Sequence, residues 1–391
     1  MTPDWLIVAG DYHRHGGMDR ANYELAWHLA DRLGKRVLLV GFSVAEPLAS
    51  HPLVQCRLVR RPLGSTALGL LRLRRVAQPI VDQLTAESPR THIVVNGGNC
   101  RGPDINWVHM VHHAFSPCDV GTPVVFRLRS RFQHWRNKRD EKQCLPAARL
   151  IIANSQKTRS DLIRLLDLDE CKVKVVYLGA DPIAHAPLSS EERILGRHRF
   201  EVPDQGLVVG FVGALGLDRN KGLDVLLSAA RKLVDQKMPV MVLAAGGGNL
   251  SYWQRQAEAL GLGSSVRLCG HLTDMRSFLA ACDLVVSPTR HDAYGLAVHE
   301  AICCELPVIV SSRAGVSERL PESLRCCILP DPEDADDLAR RILHWQAHRH
   351  SLQIEFARLA AELRRHTWAD MATEFVRLAE EAADAELSSA A

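Results

Sequence analysis

The chain has 391 residues, 47% of them apolar and 24% charged, and a formal net charge of +3. Single cores stop growing near ~250 residues, so two domains are expected, and no segment reaches the ~18 uncharged apolar residues that span a bilayer. Eleven cysteines, an odd number with no CxxC pair, argue against a disulfide framework or a zinc knuckle and predict reduced thiols.

The start, Met1 to Trp5, lacks a basic leader region, and the apolar run Trp5 to Gly10 is too short for a signal peptide, so a cytoplasmic location is expected. Trp5 to Ala9 predicts a strand, Gly10 to Gly17 a loop, Met18 to Leu33 a helix stopped before Gly34, and Arg36 to Phe42 a second strand. That βαβ unit implies a parallel sheet covered by helices. More buried strands are predicted at Thr91 to Asn96, Asp104 to His109, Leu150 to Asn154 and Val173 to Tyr177.

From Gly179 to Arg193 the text turns to Gly, Pro, Ser and Ala, which marks a domain boundary. The second half alternates again. Strands are expected at Leu207 to Val212, Val240 to Ala245, Ser265 to Cys269, Leu284 to Ser287 and Pro307 to Ser311. Helices are expected at Gly222 to Gln236, Tyr252 to Leu260, Met275 to Cys282 and Gly295 to Cys304. The expected fold class is α/β: two Rossmann-like, doubly wound parallel-sheet domains, 1–182 and 183–367. A last amphipathic helix, Trp368 to Glu386, lies in 368–391, with fraying expected from Ala382 to Ala391.

Charge divides unevenly. Residues 1–182 carry 26 Lys+Arg against 17 Asp+Glu (+9), and residues 183–391 carry 22 against 28 (−6). A positive half points to an anionic partner: a phosphorylated or lipid-linked acceptor, a membrane surface, or nucleic acid. Arg127, Arg129, Arg131, Arg136 and Arg139 interleave with Phe132 and Trp135. As a helix this stretch either lies on an anionic membrane or covers the first sheet with both aromatics inward. No nucleic-acid-binding motif accompanies the charge.

The sharpest chemical signal runs from Arg290 to Pro307. Asp292 and Glu300 stand eight apart, the first before a glycine turn and the second inside the following helix. Backbone N–H groups from Ala293 to Leu296 would form a helix N-terminus able to hold a phosphate, flanked by two hydroxyl-binding carboxylates. Read one by one, Asp292 is equally a helix cap and Glu300 a solvated face. A second block, Gly210 to Leu227, holds Arg219 and Lys221 in a turn before a helix. A third, Ile105 to His113, ends a strand with His109, His112 and His113; zinc is the rival reading there, without H-x-x-x-H spacing to support it. Adjacent Gly16 and Gly17 allow close approach of a ligand.

Asp292 to Glu300, followed by Ala301 to Val308, resembles the E-x7-E signature of family 4 glycosyltransferases, with Asp for the usual first Glu and Glu305 where Gly is common. The Gly16-Gly17 loop, the strand-end His109, Asn154-Ser155, Gly179 to Asp181 and the Arg/Lys block follow in the family's order. Ala214 stands at the usual arginine position, so Arg219 takes that role by proximity.

The resemblance implies a GT-B fold, its two domains facing across a cleft, with the terminal helix crossing back to the first. It also implies retaining transfer of a sugar from a UDP- or GDP-sugar to an acceptor hydroxyl, in cell-envelope polysaccharide or glycolipid synthesis. By the same resemblance Asp292 holds sugar hydroxyls, Glu300 the ribose, and the amides of Ala293, Tyr294, Gly295 and Leu296 the diphosphate. Arg219 and Lys221 neutralise the leaving group, His109 faces the donor sugar, and Gly16, Gly17 and Gly270 lie against the donor. The resemblance requires no cofactor or metal; the basic first half, by its charge, leaves open a peripheral contact with the inner face of an anionic membrane. The alternatives are a catalytically silent sugar-nucleotide binder, or an epimerase or phosphorylase of the same fold.

Asp167-Leu-Asp169 matches the D-x-D of metal-dependent transferases but follows a polar helix, Gln156 to Leu166, and reads as a surface turn. Ala244 to Asn249 lacks the G-x-G-x-x-G spacing and a following acid. It is expected to pack near the nucleoside, with Arg267 to Gly270 toward the base.

Overall fold

The structure, a computed structural model, describes residues 2–118, 121–203 and 206–390. The chain divides into two compact units. One gathers Met1–Ser116, Arg131–Gly179 and Thr367–Ala391; the other gathers Pro117–Ser130 and Ala180–His366. The composition boundary in the sequence instead places Pro117–Ser130 in the first half and the terminal helix in a segment of its own.

In the first unit the strands are β1 (Trp5–Val8), β2 (Asp11–Tyr12), β3 (Val37–Gly41), β4 (Ser43–Val44), β5 (Val54–Leu58), β6 (His92–Asn96), β7 (Ile105–Val108), β8 (Leu150–Ala153) and β9 (Val173–Val175). Seven form a parallel sheet in the order β5-β3-β1-β6-β7-β8-β9, and β2 pairs with β4. β1, β7 and β8 are buried along their whole length, as strands covered on both faces must be. β5 is the polar edge strand Val-Gln-Cys-Arg-Leu, whose half-exposed pattern carries no apolar run to mark it in the sequence.

Helices α1 (Met18–Trp27), which runs on as a π-helical turn over His28–Arg32, α2 (Thr66–Glu87), α3 (Val124–Cys144) and α4 (Gln156–Leu166) connect these strands. Leu73, Ala77 and Val81 of α2 pack on Leu6, Val8, Val40, Ile93 and Val95 of the sheet. α3 runs through the Ser130–Arg131 boundary between the units. The last helix, Trp368–Ala390, belongs to the first unit. There Phe375 meets Trp107, ring centroids 4.8 Å apart, Arg20 lies over Trp368, and Thr373 pairs with His28. Of the expected frayed stretch, Ala391 lies outside the described residues and 382–390 are helical.

The second unit holds β10 (Leu207–Val212), β11 (Val240–Ala245), β12 (Val266–Gly270), β13 (Leu284–Ser287), β14 (Val308–Ser311) and β15 (Ile328–Leu329) in the parallel order β12-β11-β10-β13-β14-β15. Its helices are α5 (Ser190–Arg199), α6 (Leu223–Asp235), α7 (Leu250–Ala259), α8 (Met275–Ala281), α9 (Leu296–Cys303), α10 (Ala335–Ala347) and α11 (Arg349–Leu363). α5 opens on a capping box, Ser189 with Glu192. α6 buries Leu223, Leu226, Leu227, Ala230 and Leu233, the apolar stripe its period predicts. From β10 the chain goes outward through β11 and β12, then returns to β13 on the other side of β10. The carboxyl ends of β10 and β13 therefore border a topological switch point, the place where open α/β sheets leave a crevice for ligands. Among the described residues no helix is long and apolar enough to cross a membrane.

Candidate active site

The loops after β10 and β13 are laced together. Gly222 takes the left-handed conformation (φ 79°), and a Cβ there would lie 2.0 Å from the Pro288 carbonyl oxygen, so only glycine permits the approach. Asn220 donates from Nδ2 to the His291 carbonyl (2.9 Å), while its own carbonyl accepts from the Arg290 N–H (2.8 Å) and the Thr289 hydroxyl (3.1 Å). Arg290 grips Asp224 with two nitrogens (3.0 and 2.9 Å), bonds the Arg219 carbonyl and reaches Glu333. The sequence assigns Arg290 no role, and its one signal is a guanidinium at the head of the motif. The lacing sets Lys221 Nζ 2.6 Å from Asp292 Oδ2.

Desolvation pushes the Asp292 carboxyl up. The Lys221 ammonium, by charge and hydrogen bond, outweighs it, so the pKa falls below the ordinary value. The Tyr294 amide adds to this by bonding the same carboxylate. Asp292 thus holds the turn ahead of α9, whose N-cap Gly295 has no side-chain cap, and the occupied Tyr294 amide subtracts one donor from the expected set of four. Gly295 precedes α9 in the left-handed conformation (φ 98°). Among the described residues neither its amide nor that of Leu296 has an acceptor. The Tyr294 ring is buried, its hydroxyl 2.8 Å from His299 Nδ1, and burial holds His299 neutral with a pKa near 3.

Glu300 lies little more than a turn into α9, and its Oε1 is 3.7 Å from His185 Nε2, a partner that nothing in the sequence announced. Arg219 donates to the Tyr252 hydroxyl (2.6 Å) and stands 3.8 Å from Asp224, while among the described residues its buried Nε has no hydrogen-bond partner. It is thus held by Tyr252 and Asp224 and bonds neither motif carboxylate. Gly270 closes β12, its carbonyl accepting from Gly246 (2.7 Å). The Arg267 guanidinium bonds the Phe200 carbonyl and Glu201, so the expected reach toward a base is taken up elsewhere.

In the first unit Gly16 is left-handed (φ 87°) and Gly17 begins α1. His109 follows β7, its ring 4.6 Å from that of Trp107. Burial pushes its pKa down to about 3, and among the described residues Nε2 has no partner. His113 is tied instead to buried Glu141 (2.7 Å), which also accepts the His112 and His113 amides. Among the described residues no group of three His, Cys, Asp or Glu is placed to hold a metal ion. Asp167 ends α4 in the left-handed conformation and Asp169 caps the next turn by accepting the Cys171 N–H, the surface turn read from the sequence.

Residues 15–183 match the family described as Glycosyltransferase Family 4, and residues 206–348 match glycosyl transferases group 1. A curated relative, the D-inositol 3-phosphate glycosyltransferase of Corynebacterium jeikeium (strain K411), is 31% identical over 209 residues, 51% of this chain and 49% of that protein. The chain spans about half the length of the curated relatives it matches. Anabaena HepE in complex with UDP and glucose aligns over 97% of this chain and 100% of its own, with TM-score 0.74 and 19% identity. Sucrose-phosphate synthase from Thermosynechococcus elongatus aligns over 99% of each chain, with TM-score 0.75 and 17% identity. At such identities the structural likeness shows the fold, which is GT-B.

Proposed function

We propose that this chain, which belongs to the family 4, group 1 glycosyltransferases, transfers a sugar from a nucleotide-sugar to an acceptor hydroxyl with retention at the anomeric carbon. The observation that carries this reading is the 2.6 Å Lys221–Asp292 pair at the head of α9, on the switch point of the second sheet. A diphosphate at that position offers Lys221 more negative charge than one carboxylate does, so the ammonium turns to it and frees Asp292 for sugar hydroxyls. Glu300, on the same helix, takes the ribose hydroxyls. The Gly295 and Leu296 amides and the positive end of α9 face the phosphates.

As the glycosidic bond to phosphate breaks, negative charge grows on the leaving oxygen. Lys221, with Arg219 held by Tyr252, stabilises it without a metal. That oxygen takes the acceptor's proton on the face it leaves, so retention needs no separate protein base. His109, neutral by burial, gives or accepts one hydrogen bond to the donor sugar. The second half (183–367) is the donor domain and the basic first half (1–182) the acceptor domain.

HepE's complex with UDP and glucose supports a UDP-sugar, and the name of the inositol 3-phosphate relatives supports an anionic acceptor such as a phosphorylated polyol or an envelope glycolipid precursor. A panel of UDP-, GDP- and ADP-sugars tests this by thermal shift and by product formation. One base should raise the melting temperature in wild type and much less in Lys221→Ala. Donor turnover without acceptor would point to an epimerase, phosphate dependence to a phosphorylase, and binding without turnover to a silent binder; no shift with any donor would sink the reading.

A further inference from the structure

Helix α3 is inside out. A surface helix normally turns its apolar stripe to the core. Here Val125, Leu128, Phe132 and Trp135, spaced by three, four and three residues and so on one face, are 79%, 65%, 62% and 56% exposed. The other side is polar and engaged: Asp140 pairs with Arg74 (2.9 Å), buried Glu141 takes the His112 and His113 amides, and Gln133 bonds Asn137. Packing against the first sheet, one of the two readings of Phe132 and Trp135 open in the sequence, is excluded by their exposure. The two rings stack on each other at 5.9 Å, and Arg139 lies over Trp135.

Charge selects the occupant. At 100° per residue, Arg129 and Arg136 border one edge of the stripe, Arg131 the other, and Arg139 falls in line with it. From 121 to 139 the sequence contains no Asp or Glu. Long arginine stems lie along apolar surface while their heads reach phosphate, and aromatics with a polar edge settle at the headgroup boundary.

We propose that the exposed face of α3 docks on an anionic lipid surface, with Leu128, Phe132 and Trp135 at the acyl boundary and the flanking arginines on lipid phosphates. This inference is independent of the donor chemistry, and donor-induced thermal shift in the same variants keeps the two apart.

The test is co-sedimentation of the full chain with vesicles of phosphatidylglycerol and phosphatidylcholine, and of phosphatidylcholine alone, at low and high salt. Wild type should bind the anionic vesicles, lose at least tenfold in affinity at high salt, and ignore the neutral ones. Phe132→Ser with Trp135→Ser should abolish binding with melting temperature and donor shift unchanged; Arg129→Glu with Arg139→Glu should weaken it tenfold or more. The tryptophan emission difference between wild type and Trp135→Phe should move to the blue on anionic vesicles. Wild type that ignores phosphatidylglycerol at low salt overturns the proposal. A fall in melting temperature in the double Ser variant, or self-association by ultracentrifugation that the same variant removes without any vesicle binding, also overturns it, by showing that protein covers this face.

Discussion

Glu300 and Glu305 sit five apart on the same stretch, yet their surroundings differ. Glu300 lies within α9 and faces His185, whereas Glu305 lies past the helix end with φ 60° and pairs with Arg364 (3.0 Å). Glu300→Gln should therefore lower donor affinity and turnover, by the ~1.5 to 3 kcal/mol of a lost charged hydrogen bond, and Glu305→Gln should alter mainly stability. Titration calorimetry and kinetics giving equal losses would assign the motif to structure alone. Asp19 offers a pH test. Desolvation, and then Asp11, raise its pKa to about 6. The folded chain then binds more protons than the unfolded one between pH 4 and 6, so this carboxylate makes stability fall as pH rises through that window. Asp19→Asn should flatten that fall and be the more stable protein at pH 7.5, as urea denaturation at both pH values will read; an unchanged slope would place the carboxylate in solvent.

Strands β1, β10, β11 and β13 were legible as short apolar runs and α4 as a polar helix ahead of a surface turn, and each falls within a residue or so of its expected span. β5, α2, α10 and α11 were not: β5 is a polar edge strand, α2 carries Pro79 and a basic run, and the last two were hidden by charge. The carboxylate pair and Lys221 were legible as a motif, but their mutual contact was not, since 71 residues separate Lys221 from Asp292. Nor were Tyr252 and His185, which act as partners and leave no signature of their own, nor the role of Arg290, whose one signal is its place at the head of the motif. The contact rests on glycine. In Gly222→Ala the new methyl must move off the Pro288 carbonyl and also bear a left-handed φ, so the two loops part. A loss of about 1 to 3 kcal/mol in stability, together with a loss of donor binding, is expected. Full donor affinity in a destabilised variant would show that the loops hold Lys221 and Asp292 together without it.

At the scale of the whole molecule the proposed transfer turns on what balances a leaving diphosphate. Asp167 and Asp169, the D-x-D a metal-dependent enzyme would use, are spent on the end of α4 and on the Cys171 N–H. The positive groups lie elsewhere: Lys221, Arg219, whose Nε has no partner among the described residues, and the start of α9. If these suffice, sugar transfer should continue at an unchanged rate in excess EDTA. Lys221→Ala should lower turnover by roughly 10² to 10³, the effect of deleting one preorganised donor to developing charge, with the circular dichroism spectrum intact. Lys221→Arg separates charge from shape, because a guanidinium keeps the charge but cannot occupy the 2.6 Å site on Asp292 in the same way. It should recover part of the rate, more in turnover than in donor affinity. Activity lost in chelator and restored by manganese would mean that a cation does the work assigned to Lys221 and Arg219, and the carboxylate Asp292 would then have to be read as a ligand to that cation.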